Sequence, residues 1–285
     1  MGRLNGDYVR TVTSTEWTAE ASGTGGYADV NGINLYYERH GAGRPLILLH
    51  GGLGSGEMFG PVLTQLAAAH EVITVDLQGH GRTADIDRPI TLDDMAADIA
   101  ALIDHLGLDR PDVVGYSLGG GVAMHVAANH PAHVGKLVLA SVYLTPDAVY
   151  PELRAMQGQV NAAAAEYMVD TPMYQLYQKV APRPEDFPRL LDKIGAWMMQ
   201  SFDYTDKLRG LAVPTMIVGA DADQVPPSVF AEMFTLLDGG QRDGGWTNEG
   251  RPAGGHALAV LPGLTHYSIF ASPLFGTAVL SFLAS

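Results

Sequence analysis

Gly115-Tyr116-Ser117-Leu118-Gly119 is the segment of this 285-residue chain best suited to covalent chemistry. It matches G-x-S-x-G, in which a serine sits on a sharp turn between a strand and a helix. In a chain with 34 glycines the match alone says little. Its context says more: the apolar run Asp112–Val114 precedes it and a helical pattern opens behind it. Such a turn thrusts the serine side chain above the sheet edge, and the small flanking residues keep neighbouring backbone from clashing. A serine hydroxyl is a weak nucleophile at neutral pH. It needs a base to take its proton and a third group to hold that base.

His266 is the candidate base. It lies in Leu261-Pro262-Gly263-Leu264-Thr265-His266-Tyr267, just after the last strand-like run, where a loop can swing over the strand ends that carry Ser117. The other histidines have plainer readings. His50 and His80 sit in Gly-flanked loops, and His125, His130 and His133 belong to or follow the helix after the serine. His40, His70 and His105 lie near element ends, and His256 begins a strand. The acid is sought after the preceding strand, in Ala220-Asp221-Ala222-Asp223-Gln224-Val225-Pro226-Pro227. Asp223 is preferred because it lies further into the loop, where it can receive an imidazole N–H; Asp221 is read as capping that loop. Asp147, after the strand before, is a third candidate. The order along the chain is therefore Ser, Asp, His.

An acyl-transfer site also needs donors for an oxyanion. His50-Gly51-Gly52-Leu53-Gly54 follows the apolar run Pro45–Leu49, and its backbone can point N–H groups at developing charge. The expected donors are the N–H groups of Gly52 and of Leu118. Loss of one donor of this kind costs roughly 10²–10³ in turnover.

These residues need a frame. Tyr27–Val30, the turn Asn31-Gly32 and Ile33–Glu38 read as a hairpin. Pro45–His50, Glu71–Leu77, Asp112–Tyr116 and Lys136–Val142 read as short strands, with helices over Glu57–Ala69, Thr91–Leu106 and Leu118–Asn129 between them. Thr91 and Asp94 form a capping-box pattern at the start of the second helix, and Gly107 ends it. This alternation predicts a mostly parallel sheet covered on both faces. It breaks over residues 143–210, which are rich in Met, Tyr and Ala and interrupted by Pro146, Pro151, Pro172, Pro182, Pro184 and Pro188. That segment is predicted to be a helical insertion capping the sheet. Strand rhythm resumes at Val213–Val218, followed by a helix near Ser228–Leu237, a Gly-rich loop at 238–255, a strand at His256–Leu261 and a helix near Ser272–Leu283. The expected organisation is a tail or loosely docked arm over 1–26, a core from 27–142 and 211–285, and a cap over 143–210.

Together these motifs resemble the α/β-hydrolase superfamily from about Tyr27 to the C-terminus. His50-Gly51-Gly52 looks like its oxyanion loop, and Asp76-Leu77-Gln78-Gly79-His80-Gly81-Arg82 looks like its D-x-x-G-H-G-x segment. Gly115–Gly119 looks like its nucleophile elbow, and His130-Pro131 through Leu139 like its passage into the sixth strand. Asp223 to Pro227 is similar to its acid loop, with Ala220 where glycine is common, and Pro262–His266 is similar to its histidine loop. The loop at 238–255 departs from the pattern by separating Asp223 from His266 more than is usual. Within the superfamily the chain resembles the lidded serine esterase and perhydrolase-like group. The resemblance implies an α/β-hydrolase fold with a helical cap, and a cofactor-free serine esterase that cleaves carboxylic esters through an acyl-enzyme. Lactonase, perhydrolase and C–C bond hydrolase chemistry would use the same triad, and a non-catalytic small-molecule receptor would use the same fold. Epoxide hydrolase and haloalkane dehalogenase relatives carry Asp at the elbow, where this chain has Ser117.

Composition narrows the partners. The net charge is −14, and no basic stripe exists to neutralise phosphates, so neither nucleic acid nor an anionic membrane is expected. Without cysteine there can be no disulfide, thiolate metal site or cysteine nucleophile, and a cytoplasmic setting is expected. No stretch approaches the ~20 apolar residues of a membrane span. Arg3 and Arg10 are followed by no apolar core, so no secretory leader is read. No metal or organic cofactor motif is found. A small-molecule ester is the expected partner, and the sequence leaves the oligomeric state open. Leu53, Met168, Met173, Tyr174, Tyr177, Trp197, Met198 and Phe202 are the candidates for an apolar, adaptable substrate pocket; each could equally pack the insertion onto the sheet.

Overall fold

The computed structural model describes residues 23–247, 249–250 and 254–285. It has an α/β architecture, with an eight-stranded sheet in the order β1-β2-β4-β3-β5-β6-β7-β8 among the described residues. The strands are β1 (Thr24–Val30), β2 (Ile33–Gly41), β3 (Arg44–Leu49), β4 (His70–Asp76), β5 (Asp112–Tyr116), β6 (Leu137–Ala140), β7 (Thr215–Ala222) and β8 (Ala257–Thr265). β1–β2 and β2–β4 are antiparallel, and the remaining pairs are parallel. The first two strands meet at Asn31 (φ 49°) and Gly32 (φ 77°), the left-handed pair that a tight hairpin turn requires.

Alternation along the strands divides the core in two. Ile47 and Leu49 of β3 face a cluster with Met95, Ile99 and Leu102 of α2 (Leu92–His105) and Val122 and Val126 of α3 (Leu118–Asn129). Leu46 and Leu48 face the opposite cluster, with Leu63 and Leu66 of α1 (Gly60–Ala67) and Phe275 and Val279 of the C-terminal helix Pro273–Leu283. A strand apolar on both faces must be covered on both, and helices cover each. α3 is buried almost all round, which marks a central helix rather than a surface one. Thr91 caps α2 as expected, its side chain accepting the Asp94 N–H at 3.0 Å.

Several boundaries differ from the sequence-based expectation. β1 begins at Thr24, so the expected arm over 1–26 ends earlier; its residues 1–22 lie outside the described residues. The single helix expected over Glu57–Ala69 is a 3-10 turn, Gly56–Phe59, followed by α1 from Gly60, whose φ of 43° breaks the run ahead of Pro61. β7 and β8 run four residues further than predicted, to Ala222 and Thr265.

Residues 143–210 hold α4 (Pro151–Gln157), α5 (Pro172–Val180), α6 (Phe187–Met198) and α7 (Thr205–Arg209), and no strand among the described residues. Five of its six prolines start helical turns rather than interrupt them, and Pro182 lies between α5 and the next turn. Pro146 and Pro184 open 3-10 turns, and Pro151, Pro172 and Pro188 occupy the first two positions of α4, α5 and α6. There the missing N–H costs nothing, since the first turn has no internal acceptor for it. α6 buries Phe187, Leu190, Leu191 and Ile194 in the first core cluster. Arg189 (2.6 Å) and Lys193 (2.7 Å) pair with the buried carboxylate of Asp85, which also accepts from Gln78 at 3.0 Å. Burial alone would raise the Asp85 pKa; the Gln78 hydrogen bond and the two cations outweigh it and hold it below the ordinary value. No helix of the described residues is long and apolar enough to cross a membrane.

The turn from β5 into α3 depends on close backbone approach. A Cβ on Gly115 would lie 2.2 Å from the Gly119 carbonyl oxygen, and one on Gly119 would lie 2.4 Å from that of Leu49 and 2.5 Å from that of His50. The N–H of Gly119 donates to the His50 carbonyl at 3.0 Å, so the elbow and the loop after β3 are tied together. Gly119→Ala is predicted to push them apart and to lower stability by about 1–3 kcal/mol, the usual cost of overpacking. Urea titration with an unchanged midpoint would contradict this.

Asp76 ends β4 and joins two loops, accepting the N–H groups of Gly56 and Arg82 at 2.8 Å each. Burial pushes its pKa up to about 6, against the lowering effect of those hydrogen bonds. A carboxyl with a raised folded-state pKa contributes stability at low pH that is lost as pH rises. Between about pH 4 and 6 the wild type is therefore predicted to lose more stability than Asp76→Asn does. Equal pH slopes in urea-melting experiments on the two proteins would refute this.

Candidate active site

The carboxyl ends of β3, β5, β6, β7 and β8 lie side by side. Leu49 pairs with Gly115, Tyr116 with Ala140, and Ala140 with Val218. β3 is also the point from which successive connections run to opposite sides, to β4 and to β5. In open parallel sheets a crevice forms outside the strand ends at such a point.

Ser117 occupies the turn beyond β5 with φ 52°, a left-handed conformation that a non-glycine residue adopts only under strain. Its Oγ lies 3.1 Å from Nε2 of His266. Nδ1 of the same ring lies 2.8 Å from Oδ1 of Asp223. With a carboxylate as acceptor, the ring proton belongs on Nδ1, which leaves Nε2 free to accept from the serine. Three residues far apart in sequence thus form one hydrogen-bonded chain, and His266 and Asp223 are both buried.

Asp223 accepts three further donors. Gln224 N–H reaches Oδ1 at 2.8 Å, while the Ser141 hydroxyl at 2.6 Å and Ala220 N–H at 3.2 Å reach Oδ2. Burial works to raise its pKa, but His266, Ser141 and Ala220 more than offset it, so the carboxyl stays below its ordinary value and is ionised. Asp221 does something else. Its carboxylate accepts the N–H groups of Gly263 and Leu264 at 3.0 and 3.2 Å, and the β7–β8 register shifts between Ala220 and Ala222. This bulge carries the pairing on to Thr265, next to His266, and turns Asp223 rather than Asp221 toward the imidazole. The 238–255 loop does not separate the pair in space, because β7 and β8 are neighbours. Asp147 is exposed in the 3-10 turn Pro146–Ala148.

The loop after β3 is held by His50. Leu77 N–H donates to its Nε2 at 3.0 Å, which assigns the proton to Nδ1, and Nδ1 donates to the Gly51 carbonyl at 2.7 Å. Gly54 N–H reaches the same carbonyl at 3.2 Å. Burial and the neighbouring His80 push the His50 pKa down to about 3, so the ring is neutral. A trans peptide sends its N–H opposite to its C=O, so fixing the Gly51 carbonyl fixes the direction of the Gly52 N–H. Neither Gly52 nor Leu118 N–H donates to any group among the described residues.

Sequence reasoning passed over Tyr116 and Ser141. The phenol of Tyr116 donates to the His266 carbonyl at 2.6 Å, and its ring lies 5.2 Å from the imidazole. Burial, with Asp223 nearby, raises its pKa well above the ordinary value and keeps that proton in place. Tyr116 filled the variable position of the elbow motif, and Ser141 ended an apolar run; neither position carries a local signal.

The pocket candidates do not form one group. Leu53, Met168, Tyr174, Trp197 and Met198 are half-buried against the first core cluster, and Met173 packs against the cluster that holds Tyr116 and Phe270. Tyr177 is interior, 5% exposed, with its ring 5.1 Å from Phe187. Phe202 stacks on Tyr204 at 4.6 Å. A groove between α5 and α6 is lined by Val169, Tyr174, Phe187 and Pro188 with Glu166 and Glu185, and it includes none of the three chain-forming residues. Among the described residues, no group of three His, Asp or Glu side chains is arranged to hold a metal ion.

Comparison with known proteins agrees with this architecture. Residues 44–171 match the family model described as alpha/beta hydrolase fold. The chain is 30% identical over 226 residues to "Putative carbamate hydrolase RutD" of Azorhizobium caulinodans, covering 73% of this chain and 84% of the relative. It is 31% identical over 228 residues to a non-heme haloperoxidase of Rhodococcus erythropolis, covering 69% and 81%. The crystal structure of E-2-(acetamidomethylene)succinate hydrolase superposes with a TM-score of 0.72 at 21% identity, covering 93% of this chain and all of that one, a likeness of fold. The chain belongs to the α/β-hydrolase superfamily.

Proposed function

We propose that the protein is a serine hydrolase that cleaves carboxylic esters of small to medium apolar or aryl substrates. The observation that carries this reading is the continuous chain from Ser117 Oγ through His266 to Asp223. His266 Nε2 takes the serine proton as Oγ attacks the ester carbonyl carbon. The Gly52 and Leu118 N–H groups, which have no partner among the described residues, donate to the oxyanion. His266 then returns the proton to the leaving alcohol, and an acyl-Ser117 ester remains. Water, deprotonated by the same nitrogen, attacks that ester and releases the acid. Asp223 holds the imidazole and balances its charge in both steps.

The 143–210 segment acts as a cap over the strand ends in this reading. Met168, Trp197 and Met198, half-buried on it, and Leu53 beside the oxyanion loop form the apolar wall. Tyr177 supports that wall from inside.

A second reading, a carbamate substrate, is favoured by the name of one relative at 30% identity. The same nucleophile would attack a carbamoyl carbon, and the same oxyanion donors would serve. A panel of p-nitrophenyl esters, lactones, carbamates and peracid-forming assays separates these chemistries. Ser117→Ala is predicted to lose turnover by roughly 10³-fold or more and to lose labelling by a fluorophosphonate. Full ester turnover in Ser117→Ala would refute the proposal. Labelling of the wild type without turnover of any substrate would instead favour a small-molecule receptor on this fold.

A further inference from the structure

We infer that Ser141 is a positioning residue of this site, its hydroxyl fixing the Asp223 carboxylate in the rotation that presents Oδ1 to His266. The inference rests on the serine-hydrolase reading above.

Ser141 follows β6 with φ 54°, a left-handed conformation unfavourable for serine. Its N–H donates to the Val218 carbonyl at 2.8 Å, so the kink sits within the sheet's own hydrogen bonding. The register makes it the counterpart of Ser117. Tyr116 pairs with Ala140, and each serine is the first residue past its strand. Two adjacent parallel strands are therefore each followed by a serine with positive φ, 52° and 54°. The hydroxyls go different ways. Ser117 Oγ meets Nε2 of His266, and Ser141 Oγ meets Oδ2 of Asp223 at 2.6 Å.

Glycine would adopt this positive φ freely. Serine is present instead, 1% exposed, with its hydroxyl on the acid. Strain of this kind persists where the surroundings enforce it and the side chain has a task. The task follows from the distances. Oδ1 is held by His266 and Gln224 N–H, at 2.8 Å each. Apart from Ser141, Oδ2 has the longer contact from Ala220 N–H at 3.2 Å. Without the hydroxyl, Oδ2 keeps only the longer Ala220 contact, and rotation of the carboxylate about Cβ–Cγ, which takes Oδ1 out of line with the Nδ1–H bond, is less restrained. The imidazole then loses orientation during turnover, while substrate binding, which does not involve Asp223, is unaffected.

The test compares Ser141→Gly, which keeps the turn and removes the hydroxyl, with Ser141→Ala, which removes the hydroxyl and keeps the strain. Ser117→Ala is assayed beside them. Active sites are counted by fluorophosphonate titration, so misfolded protein does not enter kcat. Ser141→Gly is expected to lower kcat roughly ten-fold, the scale of one lost hydrogen bond to a charged group, with KM within about two-fold of wild type. A fall in kcat of less than about three-fold, or a loss carried by KM, overturns the inference. Should Ser141→Ala fail to fold, Ser141→Gly still decides, since glycine accepts the turn. Retained turnover in Ser117→Ala would instead bring down the hydrolase reading and this inference with it.

Discussion

The hydrogen bond from His266 Nδ1 to Asp223 Oδ1 is the interaction around which the rest of the site is arranged. It joins the ends of β7 and β8 in a buried setting, where an unpaired carboxylate would be costly. Four donors converge on Asp223 and keep it ionised. The imidazole is restrained as well. Its backbone carbonyl is held by the Tyr116 phenol from the neighbouring elbow, and the strand leading to it is stapled by Asp221. His266 is therefore held from both ends, by its ring and by its main chain.

The elbow is a second constraint, coupled to the first. Left-handed φ at Ser117 and Ser141 is unfavourable in isolation. It is tolerated because the sheet register on one side and the nearly all-buried α3 on the other leave the chain little alternative. Gly115 and Gly119 permit this by allowing α3, β5 and the His50 loop to approach at backbone distance. The buried neutral His50 extends the same logic to the loop after β3, because its tautomer is set by Leu77 N–H and in turn sets the Gly51–Gly52 peptide.

The 143–210 segment is built to a different plan. Prolines start its short helices, and an apolar face of α6 together with the ion-paired Asp85 attaches it to the core. It is tied to the core at further points, with Tyr177 of α5 and Leu208 of α7 buried in the same cluster.

The sequence by itself determined the alternation of strands and helices and the order of the chemistry-bearing residues. It also determined the elbow and the turn at Asn31-Gly32. These are encoded within a few residues, because backbone conformation and amphipathic period are local properties. The sequence preferred Asp223 to Asp221 by its place in the loop alone; the tertiary structure showed why Asp223 is the one that meets His266. Asp223 lies 43 residues from His266, and their meeting depends on a bulge in the β7–β8 ladder that no local pattern announces. Tyr116 and Ser141 were illegible for the same reason: each touches a residue just past the end of another strand, and a Tyr or Ser at those positions looks like any other until the register is known. The pocket candidates blurred because a Met or aromatic at helical spacing reads the same whether it lines a cavity or, like Tyr177 against Phe187, fills the core. Local spacing encodes what the backbone does; contact across the sheet decides which side chains meet.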